Sequence, residues 1–144
     1  MATLSILLLS YASLFFFISL IIKKICIVDV AWALGFFVVM IHSLFYLSSN
    51  SFNTLHIILF LMVSIWSLRL ATYLFFRMRN KPDDWRYLEL KKGWGDNWKL
   101  QSYLKVFLFQ SFLLFLCSST LWYGTTYLPS EWGILQSLGL IFWI

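Results

Sequence analysis

Asp29 and Arg69 stand inside long apolar stretches, where ionisable side chains are costly and mark functional sites by default. Asp29 lies about one turn and Arg69 about two turns from the same end of their segments. The turn at 48–53 folds the two segments into an antiparallel hairpin. With about 1.5 Å of rise per residue, positions about 21 before and about 19 after the turn's centre fall within one turn of the same depth. The spacing therefore predicts that Asp29 and Arg69 face each other, directly or through a ligand, each neutralising the other in a low dielectric. Asp29, Trp32, Phe36, Val39, Ser43 and Tyr46 recur at helical spacing, as do Met62, Trp66, Arg69, Tyr73 and Arg77. Such stripes predict a helix–helix seam. Read functionally, the seam lines a pocket open to the cytoplasmic leaflet. Read structurally, its charges only hold two helices together.

The elements that carry these residues are membrane helices. The chain has 144 residues, 61% hydrophobic and 12% charged, with mean hydropathy +0.82. A soluble domain of this size cannot hide so much apolar surface. Spanning helices of about 20 residues are expected near 3–22, 25–47, 54–76 and 103–123, with a shorter fifth stretch at 132–144. The fold class is thus an all-α, polytopic helix bundle in one transmembrane domain. The first stretch lacks a basic leader and an A-x-A site and reads as a retained helix.

Basic residues set the orientation. Lys23 and Lys24 follow the first helix. Arg77, Arg79, Lys81, Arg86, Lys91, Lys92, Lys99 and Lys105 fill and flank the long middle loop, and the two other turns have none. The N-terminus is expected outside and loop 77–100 in the cytoplasm, in a membrane of the bacterial inner type. The net charge of +5 is therefore topological. Nucleic acid is not expected as a partner, because the basic loop is tied to the membrane at both ends.

Within that loop, Asn80 is expected to cap a short helix, with Pro82 in its first turn, Asp83 and Asp84 at its positive end and Gly93 as its stop. Trp85, Tyr87, Trp94 and Trp98 are expected at headgroup level. Arg77, Arg79 and Arg86 could hold the phosphates of a nucleotide, although no GxGxxG or GxxxxGK[ST] is present. His42 and His56 have no ligand-spaced companions, and no metal site is expected. Cys26 and Cys117 fall at opposite membrane faces and do not make a disulfide framework.

Four segments together resemble a known family. They are Val28-Asp29-Val30-Ala31-Trp32-Ala33-Leu34-Gly35-Phe36, Trp66-Ser67-Leu68-Arg69-Leu70-Ala71-Thr72-Tyr73-Leu74, Asp84-Trp85-Arg86-Tyr87, and Trp94-Gly95 with Tyr103-Leu104-Lys105-Val106-Phe107 and Gln110. In order and spacing they resemble the DUF1295 family, bacterial relatives of the steroid 5-alpha-reductases, from about residue 25 onward. The resemblance implies a membrane enzyme that takes hydride from NADPH and reduces a carbon–carbon double bond conjugated to a ketone in a lipid-like molecule. It implies that Asp29 grips the substrate carbonyl or the cofactor, and in that role Asp29 has to carry a proton near neutral pH. Asp29, Arg69 and Tyr73 are then the catalytic candidates. Arg77, Arg86 and Tyr87 are the cofactor candidates, and Trp32 and Trp66 line the substrate pocket. The catalytic tyrosine of the steroid enzymes is replaced here by Trp66, which donates one N–H and cannot act as an acid.

The family pattern continues into an Arg-His-Pro-containing signature beyond Ile144, where much of the cofactor site is expected. On that reading the chain is an N-terminal half, completed by a C-terminal half or a partner subunit. Two alternatives stay open. One is a fragment of an isoprenylcysteine-methyltransferase-like enzyme using S-adenosylmethionine. The other is a small non-enzymatic membrane protein whose Asp29–Arg69 pair is assembly glue.

Overall fold

The computed structural model describes residues 2–46, 53–79, 81–127 and 133–143. All its regular elements are helical. Helix α1 runs Ala2–Ile22, α2 Ile27–Phe45 and α3 Thr54–Arg79. Helix α4, Trp85–Trp94, lies in the basic loop and leads through a 3₁₀ turn to α5, Trp98–Ser102. A π turn over Tyr103–Leu108 joins α5 to α6, Phe109–Thr126, and α7 covers Ile134–Trp143. Four of these helical runs are long and apolar enough to cross a membrane, and α7 is a shorter apolar helix. The protein is a multi-span membrane protein. Helix α3 extends about one turn past the expected end at 76, carrying Arg77 and Arg79 as its last basic residues.

Helix α2 is the centre of the bundle. Of its apolar window 56% is buried, against 17% for α1 and 17% for α3. It packs on α3, α6 and α1, while α1 also meets α6 and the π turn. In lipid, close helix approach depends on small residues and interhelical hydrogen bonds rather than on expulsion of water. The contacts follow that rule. Ser67 Oγ on α3 donates to Ala33 O on α2 at 2.6 Å, and Tyr11 Oη on α1 donates to Ala31 O at 2.7 Å. Ser111 Oγ on α6 donates to Leu8 O on α1 at 3.1 Å. Gly35 sits where α2 meets α6, so close that an added Cβ would overlap the Leu114 side chain.

The buried face of α3 corrects the expected seam. Ser64, Ser67 and Ala71 are buried at 3-4 spacing, and Arg69, Tyr73 and Arg77 lie on the exposed side. Small residues let the backbones approach, and long charged ones do not. The seam is still rimmed by aromatics. Phe36 packs edge-on against both Trp32, 4.9 Å between centroids, and Trp66, 5.3 Å.

The end of α1 is a left-handed turn. Lys23 takes φ 58, and Lys24 N–H donates five residues back to Ser19 O at 3.1 Å, a Schellman-type closure. A side chain in this conformation costs about 1–2 kcal/mol, so neighbouring contacts have to hold it. At the opposite end of the bundle His56 is buried, with Nδ1 2.7 Å from Asn53 Oδ1 and Nε2 2.9 Å from Thr125 O, tying α3 to α6.

The Gly35 contact yields a direct expectation. Gly35→Ala should lower stability by roughly 1–3 kcal/mol through overpacking, read as earlier unfolding of helical circular dichroism in detergent. Gly124→Ala, where a Cβ meets nothing within 4 Å, should leave the transition in place.

Candidate functional site

The basic end of the bundle is assembled by two reciprocal caps. Lys24 Nζ donates to Met78 O at 2.8 Å and Lys81 O at 2.7 Å, placing its charge on carbonyls left over at the end of α3. In return Asp83, just after α3, accepts from Ile25 N–H at 3.0 Å and Cys26 N–H at 3.1 Å. The Cys26 side chain makes no cap of its own at the start of α2, so Asp83 caps that helix across the bundle.

The expected helix in the loop starts later than its sequence suggested. Asp84, not Asn80, is the cap of α4, accepting from Arg86 N–H at 3.1 Å. Asn80 lies outside the described residues. The stop is Gly95, with φ +53, rather than Gly93. Asp83, placed by sequence at the head of α4, is instead taken by α2. Asp84 also accepts from Arg86 Nε and Nη2, both at 3.0 Å, and Arg86–Asp84 is the one ion pair among the described residues.

These caps set α4 so that Tyr87 points inward. Tyr87 is 8% exposed and its Oη donates to Asp29 Oδ1 at 3.0 Å. Asp29 is half-buried in the first turn of α2. Its partner is therefore Tyr87 and not Arg69. Tyr87 also leaves the aromatic belt expected of it, whereas Trp85 stays 70% exposed.

Asp29 lines a cavity of about 380 Å³ between the start of α2, the end of α3 and α4. Its wall is mostly apolar, with Leu74, Met78, Pro82, Trp85 and Leu88, and its polar groups include Asp29, Arg77, Asp83 and Asp84. That volume is at the lower end of the roughly 300–1,000 Å³ of small-molecule pockets. Arg69 and Tyr73 line a different, open groove with Thr72, Phe76, Arg77 and Lys81. Arg77 and Lys81 border both. Trp32 and Trp66 lie deeper, joined through Phe36, and neither lines this cavity.

Sequence reasoning thus named Asp29, Arg77 and Tyr87 at one site and missed Asp83 and Lys24. An acid in the short segment after α3 and a lysine in the turn before α2 were the available signals. Their pairing across the bundle was not legible locally.

A multi-helix membrane protein with a half-buried acid, held by a buried tyrosine, lining a cavity at its basic end is the class that fold and site define. The chain belongs to the DUF1295 family: that family's model, described as a protein of unknown function, matches residues 15–144. No curated protein and no solved structure matches it.

Two outcomes follow from the site. Double-mutant cycles on unfolding in detergent should give Asp29→Asn with Tyr87→Phe a coupling of about 0.5–1 kcal/mol, as for contacting polar pairs in membranes. Asp29→Asn with Arg69→Gln should be additive within about 0.5 kcal/mol. The second outcome concerns pH. Hydrogen bonds from the Arg86 side chain and then its backbone N–H hold the Asp84 carboxyl below the usual carboxylate range. A depressed carboxyl stabilises fully above its unfolded pKa, near 3.9, and that stabilisation is lost as pH falls through the folded value. Acid should therefore loosen α4, read as greater exposure of the partly buried Trp94 to a soluble quencher. Asp84→Asn should show the loosening already at neutral pH.

Proposed function

We propose that the chain forms the substrate-gripping end of an NADPH-dependent reductase. Its substrate is a lipid-like enone, entering at a cytoplasmic-facing basic end. One observation carries the reading: the Tyr87 hydroxyl donates to the Asp29 carboxyl in the wall of a mostly apolar cavity. In this reading Asp29 is the proton-holding group that faces a space suited to a single ring or short chain, and Tyr87, buried behind it, is the donor that holds it.

Reduction of an enone places negative charge on its carbonyl oxygen. A preoriented donor in a water-poor site stabilises such charge strongly. A protonated Asp29, which lines the cavity, would donate to the substrate oxygen, and Tyr87, held by α4 behind it, would keep the carboxyl in place. Leu74, Met78 and Leu88 would surround the apolar body of the substrate.

If bound, NADPH would supply the hydride for the β-carbon, and a proton from solvent would complete the α-carbon. The residues at hand fit its phosphates in part. Arg86 is already held by Asp84 and Tyr87 by Asp29. Arg77 and Lys81, on the cavity rim, are the cations free to meet phosphate. Arg69 and Tyr73 line the neighbouring groove, and in this reading they act outside the acid–tyrosine pair.

The test uses the protein in lipid nanodiscs with NADPH and a long-chain alkyl cyclohexenone, following loss of NADPH absorbance. With the C-terminal half or partner subunit supplied, saturable oxidation is expected, reduced by about 100-fold in Asp29→Ala, as for loss of one donor to a developing oxyanion, and by less in Tyr87→Phe. Enone binding that is unaffected by Asp29→Asn, with no NADPH oxidation, would sink the proposal.

A further inference from the structure

We infer that the outward groove of α3 binds the phosphate ester of an anionic membrane lipid. This inference does not rest on the reductase reading and shares with it only Arg77 and Lys81. Arg69, Thr72, Tyr73, Phe76 and Arg77 follow one another at 3-1-3-1 spacing along one face of α3, and Lys81 continues past its end. Together they bring three cations and two hydroxyls to one open groove.

None of these cations is in an ion pair among the described residues. Neither Arg69 nor Arg77 makes an ion pair or hydrogen bond among the described residues. The acids of the neighbouring cavity are committed elsewhere, Asp29 to Tyr87, Asp83 to the start of α2 and Asp84 to Arg86. Arg69 is ten positions before the end of α3 at Arg79, or about 15 Å along the helix. A bare guanidinium at that depth is costly. It reaches toward the interface by snorkelling, and its planar fork pairs with a phosphate through two parallel hydrogen bonds.

The surroundings favour a lipid as the bearer of that phosphate. Ile65, Leu68 and Phe76 on the same side of α3 are 55%, 45% and 55% exposed. An acyl chain can lie along them while its headgroup sits among the cations. A second copy of the same face would set Arg69 against Arg69, so charge opposes self-association there.

Native mass spectrometry of the detergent-purified protein, with phosphatidylglycerol or phosphatidylcholine added, tests the inference. Phosphatidylglycerol should be retained in preference to phosphatidylcholine. Each cation removed should weaken retention by about fivefold, so Arg69→Gln with Arg77→Gln should nearly abolish the preference. Arg79→Gln, on the same helix but outside the groove, should keep it. Arg69→Lys keeps the charge and loses the fork. It should show partial loss, and it remains informative if the double variant does not survive purification. Equal retention of both lipids would overturn the inference, as would equal loss in Arg79→Gln or no loss in Arg69→Lys and the double variant. Displacement of phosphatidylglycerol by equimolar glycerol phosphate would assign the groove to a soluble phosphate ester and overturn the lipid source.

Discussion

The crossed exchange of caps between Lys24 and Asp83 is the constraint on which the basic end depends. A helix leaves N–H groups unpaired at its start and carbonyls at its end. Where two helix ends meet near a membrane surface, an oppositely charged side chain can serve each. Here each hairpin partner supplies what the other lacks. The lysine from the α1–α2 turn closes α3, and the aspartate following α3 opens α2. The strained Lys23 backbone is held within this exchange. Once both caps form, Asp84 starts α4 at a fixed place and Tyr87 has one direction available, inward to Asp29.

The rest of the bundle is held by a different kind of contact. Several of its interhelical hydrogen bonds run from Ser and Tyr side chains to backbone carbonyls, as at Ser67 with Ala33 and Tyr11 with Ala31. These bonds need close backbone approach, which Gly35, Ala33 and Ala71 permit. The consequence for the site is rigidity on one side only. Helix α2 is fixed by neighbours on several faces, whereas α3 keeps an outward face that carries Arg69, Tyr73 and Arg77.

The helices were legible in the sequence because hydropathy and length report bilayer thickness. Asp29 was legible as a site residue because a buried acid stands out in an apolar run. Its partner was not, since equal depth says nothing about which way a side chain turns around its helix. Arg69 shares Asp29's depth and lies on the other side of α3. Aromatic and charged residues at helical spacing suggested a seam there, yet Ser64, Ser67 and Ala71 make it. In lipid the small residues carry the packing signal. Tyr87 was visible in the sequence as a headgroup-level aromatic and, through resemblance, as a cofactor candidate, but not as the partner of Asp29, because its inward turn is set by Asp84 and by caps drawn from distant sequence.

The π turn over Tyr103–Leu108 amounts to one residue more than an α-helix would use over the same path. It lets Tyr103 reach Ser13 at 2.9 Å while Phe107 stays fully buried against α1. Removing a single residue from it would regularise the helix and improve its backbone geometry. The same deletion would rotate everything on one side by about 100° relative to the other. Either α4 and α5 would swing away from Asp29, or α6 would turn its lipid face toward α1. The local irregularity is thus a phase setting, which fixes the angle between the bilayer-spanning half of that helix and the half that ends at the site.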